Sequence, residues 1–113
     1  MTEFEREVEA RVAANGGDAD LVAGARAFLR PSVDARYSYN FSWLGRPIIQ
    51  YPQDIVAMQE ILWSVQPDLV VETGIAHGGS LIFSASMLEL NAACGGPTDA
   101  RVIGIDEIGR AHV

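Results

Sequence analysis

The stretch that decides the fold is DLVVETGIAHGGS, residues 68–80. Asp68–Glu72 is a short apolar run rich in β-branched side chains and without alternation, which is typical of a strand buried on both faces of a parallel sheet. Thr73–Ser80 is a glycine-rich turn, and Leu81–Leu90 is apolar enough for a helix packed on that sheet. A second run of the same kind follows at Arg101–Ile105. The order of strand, glycine turn, helix and strand predicts a βαβ unit and an α/β fold.

The glycine turn predicts a ligand site at the carboxyl edge of this sheet. Gly74 permits the dihedral angles of a sharp strand-to-helix turn and lets a ligand approach the backbone. Gly78 and the glycine after it let the helix start press against the strand, and the free N–H groups there face the ligand. Ser80 can cap that helix or donate its hydroxyl group. Asp106, at the tip of the second strand, stands where a carboxylate accepts both hydroxyl groups of a ribose.

Two nucleotide-like ligands compete for this geometry. A dinucleotide site favours G-x-G-x-x-G with the pyrophosphate at the helix N-terminus, but Ala76 replaces the second glycine here. Glu72 ends the first strand, and its carboxylate would repel a pyrophosphate. A carboxylate suits a cationic ligand, such as the amino group or the sulfonium of S-adenosylmethionine. The pattern therefore favours S-adenosylmethionine, and NAD is the weaker alternative.

The N-terminal part of the chain predicts two helices. Thr2 and Glu5 have the spacing of a capping box at the start of the first helix. Asp18 or Asp20 can cap the second helix, and Pro31 is expected to end it.

The middle of the chain predicts a loop followed by a helix. Val33–Tyr51 is irregular and rich in aromatic side chains, which predicts a long ordered loop with one short strand. Its aromatic residues, Trp43 among them, are expected to pack on the domain and not to stack on a substrate. Pro52 begins an amphipathic helix that ends before Pro67.

The composition excludes several classes of function. Eight Lys+Arg residues against fifteen Asp+Glu give a net charge of −7, which argues against nucleic-acid binding. All eight cations are arginine, so neither a P-loop lysine nor a Schiff-base lysine is present. The single cysteine, Cys94, excludes an internal disulfide framework and a Cys-rich zinc site. No apolar run approaches the roughly 18 residues of a membrane span. We therefore expect a soluble, cytoplasmic protein.

From Tyr37 onward the sequence resembles the cephalosporin hydroxylase / rhamnosyl O-methyltransferase family. The pieces that carry this resemblance keep their order as far as Asp106, and their combination is far more specific than any one of them. They are Ser42–Gln50 (SWLGRPIIQ), Pro52-x-Asp54, Gln59-Glu60, Pro67-Asp68, Glu72–Ser80 and Val102–Asp106.

The resemblance implies a Rossmann-like methyltransferase fold that binds S-adenosylmethionine and depends on Mg²⁺. Glu72, Gly74 and Gly78 match the cofactor motif of the family, and Asp106 matches its ribose-binding acid. With Ser80 from the turn, these residues are the predicted cofactor-binding set. The metal ligands and the catalytic base of such enzymes lie further along the chain, so neither is assigned here.

Family members are considerably longer than these 113 residues. We therefore expect an N-terminal fragment, inactive alone, whose Rossmann-like fold is truncated after the second strand. Residues 1–36 are expected to form an N-terminal helical segment and residues 37–107 the start of the methyltransferase domain. Residues 108–113 are expected to be non-native, because they back-translate as ATC GGA AGA GCA CAC GTC, which looks like a sequencing adapter. A two-stranded parallel sheet cannot be covered on both faces. The isolated chain should therefore be marginally folded or should associate through its exposed apolar surface.

The predicted function of the longer parent is O-methylation of a small molecule, either an antibiotic intermediate or a glycolipid sugar. A component of a β-lactam hydroxylase is an alternative, although only His77 and His112 are present and an iron-type His/His/carboxylate triad is not visible. A non-catalytic fragment is the other alternative. His77 is interpreted as a bystander of the turn. The expected partner is a small-molecule substrate, and a homo-oligomer of the parent stays open.

Overall fold

The computed structural model describes residues 1–107, which fall into two compact units, one over Met1–Arg36 and one from Tyr37 onward. The predicted non-native tail, residues 108–113, lies outside the described residues. No helix in the described part of the chain combines the length and the apolar character that crossing a bilayer requires.

The first unit consists of two helices, α1 (Glu3–Gly16) and α2 (Ala19–Asp34). The predicted capping box of α1 is confirmed, since the Glu5 amide donates to Thr2 Oγ1 at 3.1 Å and the Thr2 amide donates to Glu5 Oε2 at 2.7 Å. Asp18 is the residue that caps α2, through a bond from the Leu21 amide of 3.1 Å.

The prediction that Pro31 ends the second helix is wrong. Pro31 lies inside α2, which continues to Asp34, and the amide of Ala35 donates to the Pro31 carbonyl at 2.9 Å. A proline removes only its own N–H bond and crowds the carbonyl four residues before it. The residues after Pro31 keep their own amide donors, so the last turn of the helix still forms.

The aromatic segment contains a hairpin, and not the single short strand that the sequence predicted. A 3₁₀ turn, Tyr37–Tyr39, precedes two antiparallel strands, β1 (Phe41–Trp43) and β2 (Arg46–Ile48). The two linking residues, Leu44 and Gly45, have φ angles of 48° and 82°, as in the tight turns that match the twist of a hairpin. The usual signal of such a turn, Asn or Asp before the glycine, is absent because leucine occupies that position.

The predicted βαβ unit is confirmed. Helix α3 (Pro52–Val65) leads into strand β3 (Leu69–Thr73), and helix α4 (Gly79–Ala93) connects β3 to strand β4 (Arg101–Ile105). The two strands are parallel, with Leu69 opposite Arg101 and Thr73 opposite Ile105. The carboxyl ends of both strands therefore meet at the edge where the glycine turn begins.

The core of this unit lies between the hairpin, α3 and α4. It is formed by Ile48, Leu62 and Phe83, each at most 5% exposed. The ring of Trp43 packs edge-on against Phe83 at 4.8 Å, and its Nε1 donates to Ser86 Oγ at 2.9 Å. The prediction that Trp43 packs on the domain is thereby confirmed.

The sheet is covered on one face only in the described chain, as expected for two parallel strands, although the sequence of β3 is typical of a strand buried on both faces. Exposed and half-buried residues alternate along both strands. The exposed side includes Leu69, Val71, Ile103 and Ile105, which we call the open sheet face. Their apolar character fits a strand of a larger parallel sheet, where both faces are covered.

Candidate functional site

The glycine turn connects β3 to α4 through three residues in the left-handed region. Gly74, Ala76 and Gly78 have φ angles of 77°, 50° and 84°. The Gly74 amide donates to the Ile105 carbonyl at 2.8 Å, which ties the turn to the tip of β4. A Cβ atom added to Gly74 would meet no atom within 4 Å, so the backbone conformation, and not crowding, favours glycine there. The space above Gly74 is open to a ligand.

The carboxylate of Glu72 is held from the helix above it. Its Oε1 accepts a hydrogen bond from Ser84 Oγ at 2.7 Å and another from Ser80 Oγ at 3.2 Å. Oε2 has no hydrogen-bond partner among residues 1–107. The strand end therefore presents an oriented negative group with one oxygen unused.

A cleft of about 360 Å³ lies at the carboxyl edge of the sheet. This volume is within the range of sites for small molecules and cofactors. One part of its lining comes from β3, the glycine turn and the start of α4, and the other from the hairpin, the segment after it and α3. The lining residues are Glu72, Thr73, Gly74, Ile75, Ala76, His77, Gly79 and Ser80, together with Pro47, Ile49, Gln50 and Met58.

Strand β2 lies directly against the glycine turn. A Cβ atom added to Gly79 would lie 2.1 Å from the carbonyl oxygen of Pro47 and 2.8 Å from the Cα atom of Ile48. Arg46 Nε donates to the backbone carbonyl of His77 at 3.3 Å. The hairpin therefore forms one side of the cleft, and its backbone is held against the start of α4.

The structure brings three of the five predicted cofactor-binding residues to the cleft, namely Glu72, Gly74 and Ser80. Gly78 precedes α4 as its N-cap residue. Asp106 lies beside the same turn, where its Oδ2 accepts from the Ile75 amide at 3.2 Å, but it does not line the cleft. Its role towards a ribose stays a prediction, as does cofactor contact by the other four.

Several residues that line the cleft or support its acid were not predicted from the sequence. Ser84 has a recognisable signal, because it lies four positions after Ser80 and therefore on the same face of α4. Gln50 and Met58 precede the glycine turn by many positions and carry no local signal. Only the packing of the hairpin and α3 brings them to the sheet edge.

A metal site is not present in the described part of the chain. Residues 1–107 contain no group of three or more His, Cys, Asp or Glu side chains that could hold a metal ion. The magnesium dependence that the family resemblance implies, with ligands expected outside this chain, stays a prediction.

A parallel βαβ unit, with an acid at the end of its first strand and a cleft beside its glycine turn, is the beginning of a Rossmann-like α/β domain. The family model described as rhamnosyl O-methyltransferase/CmcI matches residues 35–112, and the chain belongs to this family. The resemblance found in the sequence is thereby confirmed.

A solved structure described as CmcI-N160 with SAH, S-adenosylhomocysteine, is similar to this chain. The two share 27% sequence identity at a TM-score of 0.55, over 65% of this chain and 36% of that chain. The chain thus matches about a third of the solved protein, and the match agrees with a truncated Rossmann-like methyltransferase fold. The comparison with curated proteins gave no match.

Proposed function

We propose that the complete protein transfers a methyl group from S-adenosylmethionine to a hydroxyl group of a small molecule, and that this chain binds the amino-acid end of that cofactor. The observation that carries the proposal is the carboxylate of Glu72, which two serine hydroxyls hold at the cleft with Oε2 unused. The similarity to a CmcI structure with SAH supports the same cofactor.

The residues of the cleft fit S-adenosylmethionine better than a dinucleotide. S-adenosylmethionine carries an ammonium group and a sulfonium, and a carboxylate attracts both. The pyrophosphate of NAD is an anion, which Glu72 would repel. The open space above Gly74 allows a ligand to approach the backbone closely.

When bound, S-adenosylmethionine supplies a methyl group that is activated by the positive sulfur. Glu72 would bind its ammonium group directly or through water, and Ser80 orients that carboxylate. Gly74 and Gly78 give access to the backbone, and Asp106 would bind the ribose. The contribution of this chain is therefore alignment and electrostatic complementarity.

The remaining parts of the proposal concern the complete protein. Its acceptor would be an antibiotic intermediate or a glycolipid sugar, in the cytoplasm. The Mg²⁺ ligands and the catalytic base would lie in segments beyond this chain, which would be inactive alone.

Isothermal titration calorimetry tests the cofactor assignment. S-adenosylmethionine, S-adenosylhomocysteine and NAD are titrated into the complete gene product, into the 113-residue chain, and into Glu72→Ala and Asp106→Ala variants. We expect the complete protein to bind the two sulfur nucleosides and both variants to lose that binding. Glu60→Ala is the matched control, since Glu60 is an exposed acid of α3 outside the cleft. A preference for NAD, or variants that bind like the unmodified protein, would overturn the proposal.

A further inference from the structure

We propose that Arg46 binds the α-carboxylate of the cofactor, so that Arg46 and Glu72 together recognise the zwitterionic amino-acid end. This inference rests on the proposed function and extends it to a residue of the hairpin.

Arg46 is not one of the lining residues of the cleft, but it lies next to two of them. Its Nε donates to the carbonyl of His77 at 3.3 Å, and both His77 and the next residue in sequence, Pro47, line the cleft. The close approach of Gly79 to the Pro47 backbone holds this part of the hairpin in place. The fold therefore holds the backbone that carries Arg46, and the bond to His77 orients the guanidinium.

Most N–H donors of the Arg46 guanidinium are not used in hydrogen bonds among the described residues. An arginine side chain carries five N–H donors, of which the bond to His77 uses one. Arg46 forms no ion pair among the described residues, unlike Arg11 with Glu7 and Arg30 with Asp34. Arg46 is nevertheless half-buried. A half-buried cation without an acidic partner is suited to an anionic ligand, and its fork geometry matches a carboxylate.

No other fixed positive charge of the second unit lies at this edge of the sheet in the described residues. The chain has no lysine, and Arg101 is the only other arginine in residues 37–107. Arg101 begins β4 opposite Leu69, whereas the glycine turn follows Thr73. The amino and carboxyl ends of this strand pair are four residues apart, a distance of about 13 Å. Arg46 is therefore the side chain that can complement the carboxylate of a ligand held by Glu72.

The arrangement offers opposite charges on opposite parts of one cleft. Glu72 Oε2 belongs to the sheet edge and Arg46 to the hairpin. A free α-amino acid group carries an ammonium and a carboxylate on one carbon atom. An acid that lines the cleft and a base beside it can bind both groups and exclude nucleosides that lack them.

The test compares two ligands that differ only in the carboxylate. S-adenosylhomocysteine and its decarboxylated analogue, S-adenosyl-3-thiopropylamine, are titrated by calorimetry into the complete gene product and its Arg46→Ala and Arg46→Lys variants. We expect the unmodified protein to prefer S-adenosylhomocysteine by about tenfold or more, the scale of a charge-assisted hydrogen bond. Arg46→Ala should reduce this preference to about one and leave binding of the amine analogue unchanged, and Arg46→Lys should retain part of the preference.

Arg101→Ala is the matched control and should leave both affinities unchanged. An unmodified protein without the preference, or an Arg46→Ala variant that retains it, overturns the inference. Equal losses for both ligands in Arg46→Ala also overturn it, because they assign Arg46 to holding the turn through His77. A protein that binds neither ligand overturns the proposed function itself, so the two failures are distinguishable.

Discussion

Ser84 Oγ donates a 2.7 Å hydrogen bond to Oε1 of Glu72, across twelve positions of sequence and from a helix to a strand. Ser84 is only 3% exposed, whereas the Glu72 carboxylate borders the cleft. The orientation of the acid therefore depends on how α4 packs on the sheet of β3 and β4. The buried hydroxyl connects the packing of this unit to its candidate site.

Replacing Ser84 by alanine should weaken both the fold and the site. Glu72 would retain only the longer bond from Ser80, so its carboxylate would be less well oriented. We expect a loss of about 1 kcal/mol in the free energy of unfolding, as for one buried hydrogen bond. The affinity for S-adenosylmethionine should also fall several-fold. Urea denaturation and calorimetry of the complete gene product measure the two effects.

Ser86→Ala is the control for this prediction. Ser86 also lies on α4, but it accepts from Trp43 Nε1 at 2.9 Å and donates to the Phe83 carbonyl at 2.7 Å, away from Glu72. It should lower stability by a similar amount without changing the affinity. An unchanged affinity in Ser84→Ala would show that the bond to Glu72 does not serve ligand binding.

Gly79→Ala should destabilise the second unit. The added Cβ atom would lie 2.1 Å from the Pro47 carbonyl oxygen, which belongs to the backbone of a paired strand and has little freedom to move. We expect a loss of about 1–3 kcal/mol, the usual range for overpacking. Urea denaturation followed by circular dichroism measures it.

Gly24→Ala should stabilise the first unit, in contrast to the effect of Gly79→Ala on the second unit. Gly24 lies inside α2, and a Cβ atom there would meet no atom within 4 Å. Since alanine is the better helix former, stability should rise by about 0.5–1 kcal/mol. Equal effects of the two substitutions would contradict the close contact at Gly79.

The local elements of the second unit were largely predictable, because each has a compact sequence signal. The β-branched run before Gly74, the proline at the start of α3 and the small, apolar α4 gave the βαβ order correctly. The hairpin was missed because strands of three residues are too short for their alternation to stand out from chance, and Leu44 replaces the usual polar residue of its turn. The error at Pro31 arose because a proline weakens a helix without always ending it.

The candidate site was predictable only where its residues are close in sequence. Glu72, Gly74 and Ser80 lie within nine positions, and the sequence placed them at one sheet edge. Arg46, Gln50 and Met58 reach the same edge through tertiary packing, which periodicity does not encode. The exposure of Val71 depends on which strands are present beside it, and no local pattern contains that information.

Gly74→Ala should reduce both the stability of the fold and the affinity for the ligand. Gly74 has a φ of 77° and no atom within 4 Å of an added Cβ, so the substitution strains the backbone without a clash. We expect a cost of about 1–2 kcal/mol in unfolding free energy. The new methyl group would also occupy the cleft, so the affinity for S-adenosylmethionine should fall by about tenfold or more in calorimetry.

Gly95→Ala is the matched control, since Gly95 has a φ of 95° and equally open surroundings but lies outside the cleft. It should lower stability to the same degree and leave the affinity unchanged. If both variants bind like the unmodified protein, the space above Gly74 does not receive the ligand.

The open sheet face should make the isolated 113-residue chain associate. Val71, Ile103 and Ile105 are 53%, 44% and 54% exposed, and parallel strands are normally covered on both faces. We expect the chain to enhance the fluorescence of 8-anilinonaphthalene-1-sulfonate and to elute from gel filtration with light scattering as more than a monomer. The double variant Val71→Thr/Ile103→Thr keeps β-branched side chains in the strands and should reduce both signals. Val65→Thr removes one exposed apolar side chain from α3 and should change neither signal. An unmodified chain that is monomeric and does not enhance the dye fluorescence would contradict the prediction that the open sheet face causes association.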